Sequence, residues 1–256
     1  MNSTISKSTA MKLTGHCLQL DVGNSSAKWR LVRDAAVTAR GIYHSGDLAS
    51  RDGLYKVADE LDAIWVSSVA GEQAEAELAT TLAERWSTEP WFARTQARTL
   101  NLQNSYKDPA RMGVDRWLAM LGAQQHESGR LCVVDVGSAL TIDLVSATGE
   151  HEGGYIIPGP ALMERALLLD TDRVRFVEDE AFELSPGRST AAAVRHGIAV
   201  AQAGSVVMVL QRSLEERPAL IYSGGAGELL MELVGQGGQY LPDLVFDGLE
   251  VMAAAR

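Results

Sequence analysis

Residues 17–25 read CLQLDVGNS and residues 131–139 read LCVVDVGSA. Each is a short apolar run that ends in Asp-Val-Gly and a small polar residue, and the two copies lie 114 residues apart in a chain of 256. A second strand-like run follows each copy, Ala27 to Val32 and Leu140 to Val145. The pattern is a strand, a tight turn that needs glycine, and a returning strand. An offset near half the chain implies two related halves. Glycine in the turn lets backbone approach a ligand, turn amides and Asn or Ser side chains donate to phosphate oxygens, and a strand-end Asp can hold Mg²⁺ or orient its waters. One such turn is a weak signal. Two at equivalent places in a duplicated chain point to phosphate binding.

Outward from the two turns, strands and helices alternate. Ala63 to Val69 reads as a buried strand, and Ala74, Leu78, Leu82 and Trp86 recur every four residues, as on an amphipathic helix. Arg116 to His126 reads as a helix and Gly153 to Gly159 as a strand. Pro160 opens a helix through Leu169, well placed in a first turn, and Thr190 to Leu214 is a long Ala/Val-rich helix. Ala219 to Tyr222 is a strand, Ser223 to Ala226 a glycine turn, Glu228 to Val234 a helix and Asp243 to Phe246 a last strand. This alternation predicts an α/β fold. The seam is placed at Glu127–Arg130, giving halves 11–128 and 129–256, with the polar residues 1–10 as a tail.

Composition excludes several classes. A hydrophobic share of 46% with 24 glycines and 7 prolines is globular, neither collagenous nor disordered. A net charge of −10 lacks the footprint of a nonspecific nucleic-acid binder and disfavours anionic membranes. No run is read as reaching the ~18 apolar residues of a membrane span, and residues 1–10 lack a signal-peptide core. Cys17 and Cys132 sit in apolar runs and read as buried thiols, which suits a reducing, cytoplasmic setting. The five histidines form no i,i+4 pair, so neither a metal site nor a triad is read from them. A G-x-S-x-G elbow, a G-x-G-x-x-G fingerprint and a G-x-x-x-x-G-K-[ST] loop are all missing, which argues against serine hydrolases, Rossmann dehydrogenases and P-loop enzymes.

Four segments in order, DVGNSSAK (21–28), NSYKDP (104–109) leading to GVDRW (113–117), DVGSALT (135–141) and GGYIIPG (153–159), resemble the type III pantothenate kinase family. The resemblance spans most of residues 16–230. It implies the duplicated actin-like (ribonuclease H-like) ATPase fold, with two halves around a nucleotide cleft. It also implies ATP-dependent phosphorylation of pantothenate to 4′-phosphopantothenate, the first step of coenzyme A biosynthesis, by a homodimer using Mg²⁺ and a monovalent cation, K⁺ or NH₄⁺.

Residue by residue, the resemblance makes Asp21, Val22, Gly23, Asn24, Ser25, Ser26, Ala27 and Lys28 the ATP phosphate loop. In it Asp21 serves Mg²⁺, directly or through water, and Lys28 offsets phosphoryl charge. Asp115 is the base for the acceptor hydroxyl; Tyr106, Gly113, Val114, Arg116 and Thr190 face pantothenate. Asp135 holds the monovalent cation. Ser138 stands where the family usually shows Thr as an ATP contact, with the hydroxyl retained. The residues also have plainer readings: a solvated strand lysine for Lys28, a helix N-terminal carboxylate for Asp115, helix capping by Ser189 or Thr190, and a ladder residue for Asp143. The alternative function is a catalytically dispensable nucleotide-binding regulator, as relatives called Bvg accessory factors were described.

Overall fold

The computed structural model describes residues 15–44, 47, 49–170, 174–176, 179–212 and 217–256. The tail 1–10, Met11 and Leu214 lie outside the described residues. By internal contacts the chain divides into two compact units. The first comprises residues up to Thr95, Gly113–Leu118 and Val245–Arg256; the second comprises Gln96–Met112 and Ala119–Leu244.

The first unit holds β1 (His16–Val22), β2 (Ser26–Arg33), β3 (Ala36–His44), β4 (Ala63–Ser68) and β5 (Trp91–Phe92), with the short helix α1 (Asp52–Tyr55) and α2 (Glu72–Trp86). Its sheet order is β3-β2-β1-β4-β5. β3, β2 and β1 pair antiparallel, and β1, β4 and β5 pair parallel. In the second unit β6 (Arg98–Thr99) and β7 (Leu102–Gln103) form a small ribbon. The helix α3 (Val114–His126) divides between the units at Leu118. The second sheet is built from β8 (Leu131–Val136), β9 (Ala139–Val145), β10 (His151–Pro158), β11 (Ala219–Ser223) and β12 (Gln239–Tyr240). Its order, β10-β9-β8-β11-β12, and its strand senses repeat those of the first sheet. The duplication read from two turns therefore extends to the topology of whole sheets.

Alternation along each strand decides the faces. Leu18 and Leu20 of β1 join Trp29, Leu31, Ile64, Val66, Leu82 and Trp86 in one core beneath α2. Cys132, Val134 and Val136 of β8 join Ile142 and Leu220 in the other. Against that second core pack α5 (Thr190–Arg212), through Ala203, Val206, Val209 and Leu210, and α6 (Gly227–Val234). Both cysteines are free and buried, and burial pushes each thiol up to about 12.

Two expectations need correction. Asp243–Phe246 is not a strand, because Leu244–Ala254 forms a helix, α7. A four-residue apolar run fits either state; here Phe246, Leu249, Met252 and Ala253 are all buried at helical spacing. Beside that face of α7, Arg30 is buried against the Phe246 ring and pairs with Glu250 at 2.9 Å and Asp247 at 3.6 Å. The second correction concerns α5. By length and composition it is apolar enough to cross a membrane, contrary to the reading that no stretch approaches a span. Its buried stripe against the second sheet is the setting of a core helix.

Candidate active site

In the first unit the Asp-Val-Gly turn is a three-residue link, Gly23–Ser25, closed by Gly23 N–H donating to Ser26 O at 3.0 Å. The register sets Asp21 directly across from Lys28 on β2 and beside Ser67 on β4. The buried Ser67 hydroxyl donates to Asp21 Oδ1 at 3.0 Å. Asp21 is thus a carboxylate held by a hydroxyl at a strand end, with a lysine opposite it in register. Asn24 and Ser25 are exposed at the tip.

The acceptor motif belongs to the same unit. Val69 N–H, just past β4, donates to Val22 O at 3.0 Å, and a Cβ on Gly113 would lie 4.0 Å from Val69 Cγ1. The start of α3 therefore stands at the end of β1 and β4 that carries Asp21. Asp115 is half-buried in the first turn of α3, where the helix dipole favours its anion, and its Oδ1 accepts from Arg116 N–H at 2.8 Å. Val114 and Arg116 are buried.

The second unit repeats the first hairpin with one residue fewer. Its link is Gly137–Ser138, closed by Gly137 N–H to Ala139 O at 2.9 Å. The register sets Asp135 across from Thr141 on β9 and beside the buried Ser223 on β11. Thr141 thus occupies the place of Lys28, and Ser223 that of Ser67. Gly224 has φ +82°, and a Cβ there would lie 2.5 Å from Asp135 Oδ1. Gly159, which ends the GGYIIPG motif, must be glycine for packing, since a Cβ would collide with the carbonyl oxygens of Gly137 and Ser138. Gly153, at φ +125°, is the motif's positive-φ residue.

Tyr106 also lies in this unit, its N–H donating to Asn104 Oδ1 at 2.9 Å and its ring 6.1 Å from that of His151. Thr190 opens α5 and is exposed; the cap is Ser189, whose hydroxyl accepts from Ala192 N–H at 3.0 Å. Thr190, Ser189 and Arg188 line one end of a groove of about 1010 Å³ between α4 (Pro160–Asp170) and α5, whose walls include Leu162, Met163 and Ile198. The expected residues therefore fall as Asp21–Lys28 with Gly113–Arg116 in the first unit, and as Asp135–Ser138, Tyr106 and Thr190 in the second. Sequence reasoning passed over Ser67, because its bond to Asp21 forms only when β4 pairs parallel to β1; in the sequence Ser223 reads only as the start of a glycine turn.

Among the described residues no cluster of three or more His, Cys, Asp or Glu could hold a metal ion. A single carboxylate such as Asp21 nevertheless suits Mg²⁺, which keeps several waters and binds through one or two carboxylates together with substrate phosphates.

The family model for type III pantothenate kinase matches residues 17–212. The chain belongs to this family. A type III pantothenate kinase of Marinobacter nauticus is 35% identical over 241 residues, covering 93% of this chain and 98% of that relative. One of Ectopseudomonas mendocina is 37% identical over 246 residues, covering 91% and 97%. Among solved structures, a putative Baf family transcriptional activator from Campylobacter jejuni superposes with a TM-score of 0.58 at 22% identity, covering 92% of this chain and 96% of that one. A putative 2-dehydro-3-deoxygalactonokinase from Sinorhizobium meliloti gives 0.58 at 16% identity, covering 93% and 98%. These likenesses concern the fold, the duplicated actin-like architecture seen here as two sheets of one topology. Membership in a type III pantothenate kinase family implies ATP and a divalent metal.

Proposed function

We propose that this chain transfers the terminal phosphoryl group of ATP to the primary hydroxyl of pantothenate, giving 4′-phosphopantothenate for coenzyme A synthesis. The observation that carries the reading is Asp21, held by Ser67 and opposed by Lys28, at the sheet end where α3 presents Asp115. Residues 21–28 bind the phosphates through turn amides, Asn24 and Ser25, and Lys28 offsets charge on the transferred group. Mg²⁺ associated with Asp21 supplies charge neutralisation on the phosphates. Asp115 accepts the hydroxyl proton. A weakly basic carboxylate suffices because a loose transition state does not require early proton loss.

Arg116 is suited to a bidentate pair with the pantothenate carboxylate, and Gly113, Val114, Tyr106 and Thr190 to the rest of that substrate. Ser138 contacts ATP from the second hairpin. Asp135, at the strand end that carries the second Asp-Val-Gly turn, takes K⁺ or NH₄⁺. We also infer a homodimer. Tyr155 and Ile156 on β10, Leu162 on α4 and Val200 and Met208 on α5 are large exposed apolar residues of the kind a second copy would cover. A cytoplasmic location and independence from nucleic acid and membranes complete the reading. No observation on the described residues favours the regulatory alternative.

The test is ADP release by purified protein with ATP, Mg²⁺ and K⁺. Release that depends on pantothenate supports the function. Folded protein that releases none over a wide ATP range, with NH₄⁺ also tried, contradicts it.

A further inference from the structure

The second unit carries a polar chain that the reaction above does not use. Asp143 and His151 are each 2% exposed, and His151 Nε2 meets Asp143 Oδ1 at 2.9 Å. The other ring nitrogen, Nδ1, shares a hydrogen bond of 2.8 Å with Ser105 Oγ. A β-bulge between His151 and Gly153 makes the meeting possible. Glu152 is the extra residue and pairs with Arg130, while His151 stays opposite Val145, on the sheet face that Asp143 shares.

Backbone contacts dock the loop carrying Ser105 on the same hairpin. Gln103 bridges Glu150 and its N–H donates to Gly149 O at 2.9 Å, while Asn104 N–H ties the loop to its own β6–β7 base through Ala97 O at 2.9 Å. Tyr106, one residue past Ser105, donates to Asn104 and lies against the His151 ring. A buried carboxylate thus reaches an exposed loop through one imidazole with both nitrogens occupied, which fixes ring orientation and loop together.

We propose that Asp143 and His151, acting through Ser105, are positioning residues that hold Tyr106 for pantothenate; this rests on the function proposed above. Asp143 orients the imidazole, the imidazole fixes Ser105, and the loop delivers Tyr106 already ordered, so less ordering entropy is lost when the substrate binds.

Ser105→Ala removes only the exposed end of the chain. One hydrogen bond's worth of ordering corresponds to a rise in KM for pantothenate of about 3- to 10-fold. We expect that rise with kcat, KM for ATP and Tm essentially unchanged, and with rescue by Ser105→Thr. Amide exchange at residues 103–107 of the free protein should quicken in Ser105→Ala and return in Ser105→Thr. His151→Phe should give the same split more strongly; if it does not fold, the Ser105 pair decides alone. An unchanged pantothenate KM in Ser105→Ala, against an active wild type, overturns the positioning role and leaves the function standing. Parallel shifts in both KM values and Tm overturn it too, in favour of a structural network. Covalent labelling of Ser105 by a fluorophosphonate overturns it in favour of a nucleophile. A wild type without pantothenate-dependent ADP release removes the functional reading and this role with it, even where Ser105→Ala still alters exchange.

Discussion

Asp21 and Asp115 are both carboxylates in the first unit, yet their surroundings suit different work. Asp21 accepts from a buried hydroxyl and faces Lys28 across the ladder, so its charge is fixed in place. Asp115 stands half-buried in the first turn of a helix, the setting of the proton acceptor proposed above. Asp115→Asn keeps the size and loses the proton acceptor. It should lower turnover by about 10²-fold or more while leaving the circular dichroism spectrum and Tm near wild type; turnover near wild type would remove the base assignment. Lys28→Ala should lower kcat/KM for ATP by about 10-fold or more, with pantothenate KM little changed, in steady-state assays varying each substrate. The one-residue difference in link length decides that the first hairpin sets a cation opposite its aspartate and the second a threonine hydroxyl.

Among elements, α7 packs closely on α3. Gly248 lies so close to Leu118 that a Cβ would collide with the Leu118 carbonyl. Gly248→Ala should destabilise the protein by about 1–3 kcal/mol, read as a lower denaturation midpoint in urea, since both groups sit in packed helices with no room to shift. An unchanged midpoint would mean that α7 slides freely. The same helix shows where sequence reading stops. Leu18 and Leu20, or the four-residue spacing of Leu78, Leu82 and Trp86, state their periodicity locally, and the strands and helix they predict are present. Residues 243–246 are too short a run to carry a period. β3 passed unread because it is an edge strand with Arg40 and Gly41 in mid-course and only Tyr43 fully buried; pairing with β2 holds it. In the site, the two Asp-Gly turns and Asp115 were legible because each motif is contiguous. The Ser67–Asp21 bond and the Ser105–His151–Asp143 chain span 46 or 8 residues at each step, and only folding brings them together.

Over the whole molecule, the two buried thiols set a response to alkali. Burial raises Cys17 and Cys132 to about 12, the charge of Glu250 adding to the shift at Cys17 and that of Asp143 at Cys132. In the unfolded chain each ionises near its ordinary value of about 8.5. Between that value and 12 the unfolded state binds fewer protons than the folded one, so stability is whole below pH 8.5 and falls as pH rises. Each thiol contributes a slope of about 1.4 kcal/mol per pH unit. Urea unfolding at pH 8 to 11 should show wild type losing stability more steeply than Cys132→Ala; equal slopes would contradict a raised thiol.

The return of residues 245–256 to the first unit bears on how the protein is made. Asp247 and Glu250, the carboxylates that neutralise buried Arg30, emerge from the ribosome about 150 residues after Thr95. At roughly 5–20 residues per second that interval is on the order of 10–30 s. Through it the nascent first unit carries an arginine without its carboxylate partners on α7, and it cannot finish folding ahead of the second. Synthesis order and folding order are therefore uncoupled here, and premature termination before α7 would damage the half of the protein that was translated first.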